Sequence, residues 1–147
     1  MVAAADSLVW ELIKNNNSSM RKMNGRTSRS GSIRFSTERG NLTNRSTYKY
    51  SGLANSKTID IAATDDNRAV LTVKTKKAST SGKSGKSAIA LNKDFRRVEK
   101  TITSQVTDNY YRPDLKSAAL AKYTAVYRSN RVAKGVKKTV PVKKGRA

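Results

Sequence analysis

Apolar and polar positions alternate most cleanly between Lys57 and Thr75. "TIDIA" puts Ile59 and Ile61 on one face, and "VLTV" does the same for Leu71 and Val73. Asp65, Asp66 and Asn67 lie between the two runs and favour a turn, so the pattern predicts an antiparallel β-hairpin. "IRFS" alternates over a shorter run, with Ile33 and Phe35 set against Arg34, and predicts a half-buried strand. "AIAL" at 88–91 fits a brief extra strand. Three other runs have helical spacing. Asp6 suits an N-cap for a short helix whose face is Leu8, Val9, Leu12 and Ile13, with Trp10 off that face and covering a second contact. Asn92 or Asp94 caps a helix carrying Phe95, Val98, Ile102 and Val106. "RPDL" opens a last helix, with Pro113 in the first turn and Leu115, Ala119, Tyr123, Val126 and Tyr127 on its apolar face.

The predicted fold class is therefore α+β: a small antiparallel sheet with a short N-terminal helix and two C-terminal helices, plus basic loops and a disordered basic tail. One domain is expected over 1–130, with mobile basic loops near 20–32 and 74–87. A basic tail is expected over 131–147, ordered only when bound. No internal repeat is visible.

Charge changes the picture most. The 147 residues hold 31 Lys and Arg against 10 Asp and Glu, a net charge of +21. Such a surface repels itself and is normally neutralised by a polyanion, whose released counterions drive association. Nucleic acid and anionic membrane are the general candidates. No apolar run is long enough to span a bilayer, and no membrane partner is expected. "MVAAADSLVW" has no basic start, and Asp6 and Glu11 interrupt its apolar run, so no secretory signal is expected. With no Cys in the chain, a reducing, intracellular location fits best.

Catalytic chemistry finds little to work with. There is no His to serve as a base or metal ligand, and no thiol. The one adjacent acid pair, Asp65-Asp66, is better explained as a turn. "GKSGKS" at 82–87 lacks the earlier glycine of a phosphate loop, since Thr80 and Lys77 stand where it is needed. No EF-hand spacing is present. No catalytic residue, metal site, cofactor or small-molecule substrate is expected.

The basic residues remain, concentrated in segments without acids. The candidate RNA contacts are Arg21, Lys22, Arg26, Arg29 and Arg34 in the first loop, and Lys76, Lys77, Lys83 and Lys86 in the second. The tail adds Arg131, Lys134, Lys137, Lys138, Lys143, Lys144 and Arg146. Arg39, Arg45, Lys49, Lys57, Arg112, Lys116 and Arg128 complete the set. Tyr48 and Tyr50 flank Lys49, and core packing and base stacking are equally open to them. A ribosomal protein, a histone-like protein and a basic chaperone all satisfy these observations. Several separate arms around a small core favour ribosomal RNA, because they suit irregular folded RNA.

Three blocks sharpen this. "VWELIKNNNS", "FSTERGNLTNRSTYKYSGLANSKT" and "DNYYRPDLKSAALAKYTAVYRSNRVAK" closely resemble the family of the eukaryotic large-subunit ribosomal protein numbered twenty-eight in the eukaryote-specific series. Its pattern "NLTNxxxYKYSGLANxKT" matches Asn41 to Thr58, and "YRPDLK" matches Tyr111 to Lys116. The resemblance implies a non-enzymatic structural component of the cytosolic large subunit that binds ribosomal RNA and neighbouring ribosomal proteins, supports translation, and passes through the nucleolus during assembly. The chain departs from the family after "NNN", where Ser18, Ser19 and Met20 replace an aromatic and aliphatic group. A nucleolar ribosome-assembly factor shares the first two blocks, so a trans-acting factor binding pre-rRNA is the alternative. With the blocks in hand, "NRSTYKYSGLANSK" is expected to be a constrained connection. Tyr48 and Tyr50 would anchor it to the core, Arg45, Lys49 and Lys57 would face RNA, and Gly52 would permit a tight turn.

Overall fold

The computed structural model describes residues 4–21, 33–75 and 85–136. Helix α1 spans Asp6–Ile13. Two short strands, β1 (Met20–Arg21) and β2 (Phe35–Ser36), pair antiparallel beside it. A 3-10 turn at Tyr48–Tyr50 leads to β3 (Ile59–Ala63), β4 (Ala69–Lys74) and β5 (Lys86–Ala90), an antiparallel sheet in that order. Then come α2 (Phe95–Thr103), a 3-10 turn at Pro113–Leu115 and α3 (Lys116–Ala133). The α+β architecture is as the sequence predicts.

The hairpin matches its pattern. Ile59 pairs with Val73 and Ile61 with Leu71, and Asn67 takes the left-handed conformation at the turn with φ of 54°. Pleating sends Ile59, Ile61 and Leu71 to one face of the sheet. There they meet Val98, Ile102 and Val106 of the α2 segment and Leu115, Ala119 and Tyr123 of the last helical segment, forming the main core. After Thr103 the α2 helix widens into a π-turn over Ser104–Asp108. A residue every fourth position runs ahead around a 3.6-residue helix, and the wider turn, which rotates less per residue, brings Val106 back over the core. The Thr107 hydroxyl is buried there without a partner among the described residues.

The N-terminal elements differ from expectation. Asp6 lies inside α1, whose N-cap is Ala5, and its carboxylate accepts from the Ser56 backbone N–H at 2.9 Å and the Ser56 hydroxyl at 3.0 Å. The helix buries no side chain fully, and Leu12 is 72 % exposed. Its contact runs through Trp10, whose ring centroid lies 6.2 Å from that of Tyr48. In β2 the expected faces are exchanged: Phe35 is 47 % exposed and Ser36 only 1 %. The reason is polar. Behind Ser36 lies the buried carboxylate of Glu38, which accepts from Asn17 Nδ2 at 3.3 Å, Asn41 Nδ2 at 3.2 Å and the Gly52 N–H at 3.1 Å. This part of the chain is organised by a hydrogen-bonded hub rather than an apolar stripe.

The ends of the expected loops are also ordered. Met20, Arg21, Lys74, Lys86 and Ser87 sit in strands, Thr75 N–H donates to Gly85 O at 2.8 Å, and 22–32 and 76–84 lie outside the described residues. Helix α3 continues past the expected domain boundary at 130, so Arg131 is helical. Its C-cap is Lys134, followed by Gly135 (φ 71°), where Gly135 N–H donates to Val132 O at 2.9 Å and Val136 N–H to Arg131 O at 3.1 Å. The expected tail from 137 onwards lies outside the described residues.

Candidate nucleic-acid interface

The segment Asn41–Thr58 and the "YRPDLK" segment are built into each other. The Arg112 guanidinium grips the Asp114 carboxylate with both Nε and Nη2, each at 2.8 Å. It also donates to Lys57 O at 3.0 Å and Lys49 O at 2.9 Å. Tyr111 Oη donates to Lys74 O at 2.6 Å and accepts from the Thr58 N–H at 3.1 Å. Asp114 holds the guanidinium charge more firmly than usual, and Arg112 in turn holds the Asp114 carboxyl below its ordinary range. Burial pushes the Tyr111 phenol up. Arg112 thus spends its donors inside the fold. Its appearance among the candidate RNA contacts reflects a charge that sequence alone cannot show to be matched.

Arg34 is committed in the same way. Its guanidinium donates to Lys14 O at 3.2 Å and Asn15 Oδ1 at 2.6 Å, where the α1 dipole presents its negative end. Lys49 and Lys57 are exposed, and each ammonium sits 5.6 Å from a ring centroid, that of Tyr50 and of Tyr111 respectively. The two tyrosines of the 3-10 turn part company. Tyr50 packs against the core, whereas Tyr48 is exposed and rests on Trp10. The expectation that both anchor to the core holds for Tyr50 alone, because the turn is not a strand and does not put them on one face. Gly52 has a different task from the one expected. A Cβ there would stand 2.1 Å from Arg39 O, so the glycine allows two loops to touch.

Among the other candidates, Arg21, Arg45 and Arg128 are exposed, and Lys116 is half-buried at the start of α3. Arg39 and Lys86 come together with Lys74 along a groove of ≈ 610 Å³ on the sheet face away from the helices, floored by small residues such as Ala62, Val70 and Thr72. Lys22, Arg26, Arg29, Lys76, Lys77, Lys83, Lys137, Lys138, Lys143, Lys144 and Arg146 lie outside the described residues.

A second basic site escapes the sequence. The turn after β3, the β5–α2 connection and the end of α3 converge on a pocket of ≈ 310 Å³. Arg68, Lys93, Arg131 and Lys134 surround it, and Tyr123, Tyr127 and Asn130 form one wall. Next to it, Arg96, Arg97 and Lys100 of α2 line a shallower depression that shares Lys93. Phe95 is not a simple core residue. It stacks on Tyr123 at 5.6 Å between centroids, lies tilted against Tyr127 at 4.8 Å, and extends the aromatic wall. Arg68 and Lys93 stand alone in sequence, among turn residues, and no local pattern marks them. Among the described residues, no group of acids could hold a metal ion.

The family model described as the Ribosomal L28e protein family matches residues 8–129. The chain belongs to this family. It is 34 % identical over 130 residues to the large ribosomal subunit protein eL28 of Dictyostelium discoideum, covering 88 % of this chain and 92 % of that one. It is 28 % identical over 137 residues to the protein of that name from Schizosaccharomyces pombe, covering 92 % and 99 %. A 59-residue stretch is 46 % identical to the Caenorhabditis elegans protein of that name, covering 40 % of this chain and 43 % of that one. The resemblance carried by the three sequence blocks is borne out, and L28e is a family of ribosomal proteins, not enzymes. The matched range takes in the whole Arg112 clamp and the buried Glu38 hub.

Proposed function

We propose that the chain is a structural component of the large subunit of the cytosolic ribosome, and that it holds ribosomal RNA chiefly through phosphate contacts beside neighbouring ribosomal proteins. The match of the L28e family over residues 8–129 carries this reading. Charge supports its RNA part: all ten acids fall within the described residues, while 22–32, 76–84 and 137–147 carry Lys and Arg with no acid. The set that carries the contacts is the exposed cations on the body, together with these basic segments. Arg34 and Arg112 act indirectly by fixing the loops. Assembly begins in the nucleolus, and the protein stays in the mature particle.

Sedimentation tests this. The protein should co-sediment with mature large subunits after a salt wash, and its affinity for large-subunit RNA should fall steeply with salt, by about 0.7 to 0.9 log units per log of salt for each phosphate engaged. Presence in nucleolar precursors with loss from mature subunits would instead favour a trans-acting assembly factor.

A further inference from the structure

The pocket at the end of α3 differs from the rest of the basic surface, because it has an interior. Tyr123 is 4 % exposed and Asn130 is 7 % exposed, yet both line it. Both bring a polar group, the Tyr123 hydroxyl and the Asn130 amide, to the lining of the cavity. The cavity is open to solvent, so an external group can hydrogen-bond there. The surround says which charge that group carries. Arg68, Lys93, Arg131 and Lys134 line the cavity, and no acid does. The Arg131 guanidinium also lies 6.0 Å from the Tyr127 ring centroid, which draws cationic charge over an aromatic face.

Resting on the ribosomal reading above, we propose that this pocket takes one unstacked nucleotide of ribosomal RNA. Its base lies against the Tyr127 side of the wall, its edge meets the Asn130 amide and the Tyr123 hydroxyl, and its phosphates lie among Arg68, Lys93, Arg131 and Lys134. RNA fits better than an acidic protein segment for two reasons. An aromatic wall next to guanidinium groups is the recurring surface for a splayed base, and amide groups read base edges. The neighbouring depression, lined by Arg96, Arg97 and Lys100 with Asp94 paired to Arg97 at 3.8 Å, then continues the path of the backbone away from the pocket.

Ultraviolet crosslinking of intact large subunits that contain this protein, with mass spectrometry of its peptides, tests the idea. The expected result is a nucleotide adduct on Tyr123 or Tyr127. An adduct to another protein at these tyrosines, or crosslinks to RNA only at other segments, would overturn the proposal. A second arm uses the purified full chain and large-subunit RNA transcribed in vitro. R68A/K93A changes exposed positions of the pocket with little burden on the core, N130D is used with its thermal melt as a control, and each should weaken binding about tenfold. Y127L should do the same with its thermal melt retained. Wild-type affinity in R68A/K93A and N130D would sink the pocket while leaving the RNA-binding function intact. Failure of the unaltered chain to enter subunits or to bind this RNA would sink the function itself.

Discussion

The guanidinium of Arg112 donates to the main-chain carbonyl of Lys49 across 63 positions of sequence, at 2.9 Å. With the bond to Lys57 O and the fork to Asp114, one side chain clamps both ends of the 49–57 segment to the start of the last helical segment. A lysine cannot reproduce four donors in one plane. R112K should therefore lower stability by about 1–3 kcal/mol in chemical denaturation, and should expose the Lys49–Lys57 segment to proteolysis. Unchanged protection of that segment would show that the clamp is not what holds it.

Asp114 gives the clamp a pH dependence. Its carboxyl is held below the ordinary value of 3.8 by hydrogen bonding to Arg112. A depressed carboxyl contributes stability that is present above its unfolded value and is lost as pH falls through the folded one. The thermal midpoint of the wild type should thus drop more steeply below about pH 4 than that of D114N. The two curves should run parallel at neutral pH, with D114N lower, and should converge in acid as the carboxyl protonates. Tyr111 acts at the other end. Burial raises its phenol, so its contribution is complete below the ordinary value of 10.0 and disappears as pH rises through the raised one.

Among the described residues, the donors to the buried Glu38 carboxylate are all neutral N–H groups. In E38Q the new amide must point N–H at one of these donors, leaving two donors facing each other. A loss of about 1–3 kcal/mol is expected in urea unfolding. A variant as stable as the wild type would show that the hub does not need a full acceptor.

Gly52 sits against Arg39 O, and the blocking atom is backbone, which cannot swing aside. G52A should cost about 1–3 kcal/mol through displaced loops, and its amide spectrum should change around Arg39 and Gly40. An unperturbed spectrum there would contradict the close approach.

Thr107 predicts a gain. Its hydroxyl is buried without a partner among the described residues. T107V keeps the shape and removes the unsatisfied group, so the thermal midpoint should rise, by about 1 kcal/mol of added stability. A fall would mean that an ordered water already serves the hydroxyl.

The β3–β4 hairpin was legible because two period-2 runs flank turn-forming Asp65, Asp66 and Asn67, so local and global preferences agree. The same holds for Val98, Ile102 and Leu115 on the helices. Helix α1 was misread in detail because a short helix can carry an apolar stripe without a partner for it: Leu12 stays in water while Trp10 and Asp6 do the docking. Ser36 and Glu38 escaped because periodicity detects apolar faces, and this second centre is polar. For the interface, total charge told the class of partner. It could not tell Arg112, neutralised inside the fold, from Arg128 in water. Nor could it gather Arg68, Lys93 and Lys134, which only the fold brings to one place.

The glycine cap that ends α3 has a consequence for avidity. Arg131 and Lys134 line the pocket, the helix stops before Gly135, and Lys137 and Lys138 are the second and third residues after that glycine in the sequence. On the RNA reading proposed above, a strand held in the pocket and by these tail cations gains effective concentration from their sequence proximity. Two weak attachments on one tether can hold as firmly as a single strong site, and each can still let go separately while the particle around them is being built.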